Sequence, residues 1–198
     1  MREATGASAP LRSNARILER SVGFLLTSVQ PVTERMLTWP TPCAAWDLNM
    51  LLLHVSDSLA AVYEGLAAGR VGLRPVVADP SGDPVSALRV RAVRVLRHAL
   101  ASSGRPDPGA AIGDLCLPGG TVAGAGALEA AVHGWDVARA TGAGRPIPAD
   151  LAADLLEVSG ALAPPCARGP LFGEPVDPGP HASPGDRLVA FLGRRPTA

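Results

Sequence analysis

Two residues with metal-binding side chains, Glu129 and His133, stand four positions apart in the segment LEAAVHGWDVARATG. At about 100° per residue, side chains four apart on a helix point within about 40° of each other, one turn apart. A carboxylate and an imidazole in this arrangement can bind one divalent ion, and metal sites inside helical bundles use similar spacing. The other interpretation of the pair is a hydrogen bond on the helix surface, worth a few tenths of a kcal/mol.

A third ligand is offered by His54, which lies far from this pair in the sequence and on a different predicted helix. The periodicity of the apolar residues puts His54 at the edge of the buried stripe of that helix. Its neighbours on the same flank, Ser58, Ala61 and Gly65, are small and leave room for an ion or a substrate. A hydrogen-bonded histidine at the edge of the core is the alternative to a metal ligand.

Asp136 lies seven residues after Glu129 and therefore shares its helix face. It is placed to orient a histidine or to pair with Arg139, and an exposed salt bridge is the alternative. His98 follows a row of arginines on another predicted helix, and His181 lies in a Pro-rich segment, so neither is taken as a ligand. The residues predicted to hold the ion are His54, Glu129 and His133.

The elements that must position these side chains are helices, because apolar residues recur at intervals of three and four along most of the chain. Asp47 is a suitable N-cap for the helix that carries His54, and Gly69 is a suitable residue to end it. The pattern thus predicts an all-α fold. The predicted helices cover about 18–29, 48–68, 85–101, 123–140 and 148–162, followed by a short helical piece at 186–193.

Composition limits the domain organisation and the classes of partner. The 198 residues, of which 47 % are hydrophobic, suit a single domain, with residues 1–14 disordered and residues 163–183 forming a Pro-rich loop. Lys+Arg and Asp+Glu both number 18, so the charges balance. This balance argues against a nucleic-acid partner or an anionic membrane surface and favours a small-molecule substrate.

The sequence predicts a cytoplasmic protein. No apolar run approaches the roughly 18 residues that span a bilayer, and the N-terminus lacks the apolar stretch of a signal peptide. The three cysteines are few and widely spaced, which fits neither a disulfide framework nor paired zinc ligands. We interpret them as buried or incidental thiols: Cys43, Cys116 and Cys166.

Three segments resemble one known family. TPCAAWDLNMLLLH at 41–54 and EAAVHGWDVARATG at 129–142 resemble the signatures of the DinB-like, mycothiol-dependent maleylpyruvate isomerase superfamily, and ASPGDRLVAFLGRRP at 182–196 is similar to the closing segment of its short actinobacterial metal-binding members. The resemblance implies an up-down-up-down four-helix bundle with an extra C-terminal helical segment. It also implies that the metal ligands come from the second and the last core helices, and that the TPC and Trp46 motif docks the loop, so Cys43 is not taken as a nucleophile.

The resemblance further implies metal-dependent chemistry on a small electrophilic metabolite. The expected reaction is transfer of a low-molecular-weight thiol of the mycothiol type, or an isomerisation that such a thiol assists. Zinc is the expected ion, with nickel, iron or manganese as other candidates, and mycothiol is the expected thiol cofactor. The chain is expected to be a monomer or a homodimer.

Two other functions stay open at the level of sequence. One is a tailoring enzyme of secondary metabolism that isomerises, cyclises or hydrolyses its substrate with the metal as a Lewis acid and without a thiol. The other is a non-catalytic, metal-dependent protein that binds a small molecule or confers resistance to it. Activity in thiol-free buffer would favour the first, and recovery of an unchanged, tightly bound ligand would favour the second.

Overall fold

A computed structural model describes residues 8–43, 45–72, 82–102, 109–162 and 173–196, with side chains from residue 14 onward. Cys166 lies outside these ranges. Within them the chain is mostly helical, with one small sheet. The helices are α1 (Ser8–Ser28), α2 (Leu48–Ala68), α3 (Pro84–Ala101), α4 (Gly119–Ala140), α5 (Ala149–Leu162) and α6 (Pro184–Phe191), with a short 3-10 helix at Glu34–Met36. The strands are β1 (Arg70–Val71), β2 (Ala110–Ile112) and β3 (Leu115–Leu117).

Helix α2 has the start and the end that its sequence predicts. The Asp47 side chain accepts a hydrogen bond from the backbone N–H of Met50 at 2.8 Å, which satisfies one of the free donors of the first turn. Gly69 takes a left-handed conformation with φ of 68° and donates its N–H to the carbonyl of Gly65. These two ends confirm the predicted helix over 48–68 and fix the length of the element that carries His54.

Helix α4 lies at the centre of the fold and is buried along most of its length, packing against α1, α2 and α5. Two glycines allow this close packing. A Cβ on Gly126 would lie 2.7 Å from Val62 of α2, and a Cβ on Gly134 would lie 3.1 Å from the backbone of Leu25 of α1. The small residues of α4 therefore let α2 approach closely enough for side chains of the two helices to meet.

Helices α2 and α3 run parallel. Residues further along α2 contact residues further along α3. Asp57 pairs with Arg91 at 2.6 Å, and the carbonyl of Leu66, further along α2, lies 3.0 Å from Nε2 of His98, further along α3. The expected up-down-up-down order is therefore wrong at α3. A connection as long as 69–83 permits this, since about 15 residues can span up to about 50 Å, more than the roughly 27 Å length of an 18-residue helix.

Two other helix pairs complete the order. Helix α4 is antiparallel to α2, with His133 beside His54 and Gly126 beside Val62. Helix α1 is parallel to α4, since Asn14 hydrogen-bonds the carbonyl of Gly120 and the ring of Phe24 lies against Gly134. The four helices α1 to α4 thus run up, down, down and up.

The sequence prediction missed the small sheet and misplaced two helix starts. Strand β2 pairs parallel with β1 and antiparallel with β3, and segments of two or three residues are too short to show the alternation that identifies a strand. Helix α4 begins at Gly119, before the predicted start at 123. Helix α1 begins at Ser8, so the predicted disorder over 1–14 is wrong for residues 8–14, where Asn14 anchors α1 to α4.

The C-terminal part of the described chain wraps back onto the helices. Residues 173–183 contain neither helix nor strand, as expected for the Pro-rich loop, and α6 then packs against α5. The side chain of Ser183 and that of Asp186 each accept a hydrogen bond from the other residue's backbone N–H, which caps α6. Within the described ranges, none of the helices combines the length and apolarity needed to cross a membrane.

Candidate metal centre

The three predicted ligands meet where α2 crosses α4. Nε2 of His54 lies 3.4 Å from Oε2 of Glu129, and Nε2 of His133 lies 3.1 Å from the same oxygen. The two imidazole rings are perpendicular, with their centroids 5.1 Å apart. One ligand atom from each residue lies within 4.8 Å of the other two, so the three side chains can contact one ion.

The spacing of these atoms fits a metal site. Ligand atoms about 2.0–2.1 Å from a tetrahedral ion are separated from one another by about 3.3 Å, close to the two distances from Glu129. Oε2 of Glu129 is buried, yet no hydrogen bond of good geometry reaches it within the described part of the chain. A buried carboxylate oxygen without a donor is costly, and coordination to a cation would compensate for its lost hydration.

A buried aspartate orients the His133 ring from the side opposite Glu129. Nδ1 of His133 donates a hydrogen bond to Oδ2 of Asp136 at 2.9 Å, and the Asp136 side chain has no exposed surface. Because Nδ1 carries the proton, the lone pair of the neutral ring is on Nε2, which faces Glu129. Asp136 thus orients a histidine, which is one of the two roles predicted for it from its position in the sequence.

Asp136 pairs with Arg194, and this partner differs from the predicted one. NH2 of Arg194 lies 2.9 Å from Oδ2 of Asp136, whereas the guanidinium of Arg139 lies over the ring of Trp135. Cys43 joins the same cluster, because its thiol lies 3.4 Å from Oδ2 of Asp136 and 3.4 Å from NH2 of Arg194. Of the thiols interpreted as buried or incidental, Cys43 is therefore half-buried in contact with Asp136 and Arg194, while Cys116 is exposed.

The electrostatics of the cluster hold its carboxylates ionised. Burial acts to raise the pKa of Glu129, but the imidazoles of His133 and His54 outweigh it and keep the pKa well below its ordinary value. Burial likewise acts to raise the pKa of Asp136, but its contacts with His133 and Arg194 have the larger effect, and the pKa lies below its ordinary value. Burial acts to lower the pKa of His133, but its contacts with Asp136, Cys43 and Glu129 raise it well above its ordinary value.

Among the described residues, the three side chains of the site differ in exposure. The His54 and Glu129 side chains are 35 % and 39 % exposed, whereas that of His133 is 9 % exposed. Trp46 forms a wall beside His54, with its ring centroid 4.5 Å from that of the imidazole. A small molecule can therefore approach from the side of His54 and Glu129, while Asp136 closes the opposite side.

The sequence prediction named the three side chains that converge here, but it did not predict all of the residues that hold them in place. Arg194 received no role because it lies 58 residues from Asp136, and no local spacing links the two. The only signal was its place in the tail segment that resembles the family. The two histidines that are not in the predicted site lie elsewhere: His98 contacts the carbonyl of Leu66, and His181 is exposed in the Pro-rich loop.

Comparison with known proteins identifies relatives in mycobacteria. The chain is 31 % identical over 159 residues to uncharacterized protein Rv0738 of Mycobacterium tuberculosis strain ATCC 25618 / H37Rv, and the match covers 78 % of this chain and 83 % of the relative. The same identity and coverage hold for uncharacterized protein MT0763 of strain CDC 1551 / Oshkosh. The chain belongs to the family of these mycobacterial proteins. No family model and no solved structure matches it.

Proposed function

We propose that this protein is a metal-dependent enzyme that transfers a low-molecular-weight thiol to a small electrophilic metabolite, or isomerises that metabolite with the help of the thiol. The observation that carries the proposal is the convergence of His54, Glu129 and His133 from two helices on one point. Two neutral imidazoles and one carboxylate suit zinc best, with nickel, iron and manganese as other candidates.

Three protein ligands are the number that catalytic zinc sites use, because a position then stays free for water or substrate. A divalent ion held there would lower the pKa of a bound thiol or water, or polarise a carbonyl group. The partial exposure of His54 and Glu129 supports access of a small molecule to this position. Asp136 would keep Nε2 of His133 available as a ligand throughout.

The resemblance of the sequence motifs to the DinB-like, mycothiol-dependent superfamily supports the choice of a thiol as the second reactant. We do not propose either described cysteine as this thiol, because Cys43 contacts Asp136, on the Nδ1 side of the His133 ring, and Cys116 lies on β3, outside the two helices that carry the three side chains. We propose on the same ground that helices α1 to α4 form a DinB-like four-helix bundle. Its ligands would come from the second and the fourth helices.

Elemental analysis of the purified protein tests the metal site. We expect about one equivalent of divalent metal in the parent and a loss of most of it in the variants His54→Ala, Glu129→Ala and His133→Ala. His181→Ala is the matched control, because this histidine is exposed and lies in another part of the fold. A parent that stays free of metal after supplementation would reject the metal mechanism.

Activity measurements with and without thiol then test the reaction class. The metal-loaded protein is incubated with a panel of electrophiles, such as activated alkenes and alkyl halides, in the presence and the absence of mycothiol. We expect electrophile consumption that needs both the thiol and an intact His133. Turnover in thiol-free buffer would instead favour a Lewis-acid isomerase, cyclase or hydrolase, and stoichiometric binding without turnover would favour a binding protein.

A further inference from the structure

Arg194 follows α6 and reaches back to the buried carboxylate of Asp136. Its Nε donates to Oδ1 of Asp136 at 3.3 Å, and its NH2 donates to Oδ2 at 2.9 Å. The Asp136 side chain has no exposed surface and that of Arg194 is 13 % exposed, so the pair is shielded from water. Two guanidinium nitrogens on two carboxylate oxygens fix the plane of the carboxylate as well as its position.

The carboxylate plane matters because Oδ2 of Asp136 also accepts the hydrogen bond from Nδ1 of His133. We infer that Arg194 is a positioning residue for the proposed metal centre: through Asp136, it holds the His133 ring with Nε2 directed at Glu129 and His54. This inference rests on the proposed function. It gives the C-terminal segment a part in a site whose ligands all lie on α2 and α4.

The guanidinium of Arg194 is itself held from two further sides. NH1 donates to the carbonyl of Leu192 at 3.2 Å, and NH2 donates to the thiol of Cys43 at 3.4 Å. The backbone N–H of Arg194 also donates to the carbonyl of Val189 at 2.9 Å, which ties the residue to the end of α6. The position of Asp136 is therefore set by contacts with α6 and with the loop before α2, and α4 alone does not determine it.

The test measures metal affinity in variants of Arg194. Zinc is titrated against a chromophoric chelator, and the visible absorption of bound cobalt reports the geometry of the site. We expect Arg194→Met to bind zinc about 10- to 100-fold more weakly, as is usual when a group that orients a histidine ligand is lost, and to show an altered cobalt spectrum. Arg194→Lys should recover only part of the affinity, because an ammonium keeps the charge but not the two-point contact.

The matched control is Arg91→Met. Arg91 also pairs with an aspartate, at 2.6 Å from Asp57, and its side chain is 14 % exposed, but this ion pair joins α3 to α2, whereas Arg194 pairs with the aspartate that holds His133. We expect this variant to bind zinc within about twofold of the parent, even where it lowers the midpoint of thermal unfolding. A folded Arg194→Met variant with parental zinc affinity and cobalt spectrum would overturn the inference. If Arg194→Met does not fold, parental affinity and spectrum in Arg194→Lys would overturn it.

A measurement on the metal-free protein separates this inference from the proposed function. If the parent binds no metal, the proposed function fails, and long-range ¹H–¹⁵N spectra of the neutral His133 ring then decide the role of Arg194. A proton held on Nδ1 in the parent and in Arg91→Met, but shared between the two nitrogens in Arg194→Lys, would support positioning. The same proton distribution in the parent and in Arg194→Lys would overturn it.

Discussion

Nε2 of His54 lies 3.4 Å from Oε2 of Glu129, so the crossing of α2 and α4 sets a separation that fits two ligands of one ion. This separation depends on how closely the two helices approach, and the glycines of α4 set that approach. It also depends on where α2 begins, which Asp47 fixes. The proposed site should therefore respond to substitutions that touch none of the three side chains.

Gly126→Ala should weaken both the fold and the metal site. The added Cβ would lie 2.7 Å from Val62, so α2 and α4 must separate or Val62 must leave its preferred conformation. We expect a loss of about 1–3 kcal/mol in the free energy of unfolding, measured by urea titration, together with weaker zinc binding.

Gly23→Ala is the control for this substitution, because a Cβ at Gly23 meets nothing within 4 Å in the middle of α1. It should raise the free energy of unfolding by about 0.4–1 kcal/mol and leave zinc affinity unchanged. Equal effects of the two substitutions would contradict the packing argument.

Asp47→Ala should lower stability through the first turn of α2. The carboxylate accepts a hydrogen bond from Met50, and its loss should cost about 1 kcal/mol in the free energy of unfolding. Asp47→Asn should recover most of this cost, because the asparagine oxygen can accept the same bond. An Asn variant as unstable as the Ala variant would show that the cap is not the source of the effect.

The apparent affinity for zinc should rise with pH. The metal-free protein holds a proton on His133 more tightly than a free imidazole does, since the pKa of His133 is raised by Asp136, Cys43 and Glu129 against the effect of burial. Zinc must displace that proton, so the affinity should increase by up to about tenfold per pH unit until the pH passes the raised pKa of His133. Competition titrations at several pH values, with proton release followed by calorimetry, measure this dependence; an affinity independent of pH would contradict it.

On the alkaline side, the stability of the metal-free protein should fall as the pH rises, whereas its affinity for zinc should rise. The folded pKa of His133 lies above its ordinary value of 6.5, so the stability from this group is fully present below about pH 6.5 and is lost as pH rises through the folded pKa. The folded pKa of Glu129 and that of Asp136 lie below the ordinary values of 4.5 and 3.8, so their contributions are present above these values and are lost as pH falls.

Urea unfolding of the metal-free protein across this pH range checks both sides. We expect the alkaline decline in stability to disappear in His133→Gln, because glutamine cannot take up a proton. The decline at acid pH that comes from Asp136 should persist, because Asp136 still pairs with Arg194. A His133→Gln variant that keeps the same alkaline decline would place its source elsewhere in the chain.

Local sequence patterns were enough to predict the helical class, most helix ends and the identity of three converging side chains. Apolar spacing identifies helices because it reflects which face is buried, and Asp47 and Gly69 act on the backbone next to them. The four-residue spacing of Glu129 and His133 likewise fixes their shared face, since it depends only on the helical repeat.

The direction of α3, the short sheet and the partner of Asp136 depend instead on how the elements pack together. A long connection permits α3 to run either way, and strands of two or three residues carry too little pattern to be read. Asp136 had Arg139 within reach along its own helix, but Arg194 is the side chain that α6 brings to the buried carboxylate. Contacts between residues distant in sequence form only when the helices pack, so the spacing of neighbouring residues does not predict them.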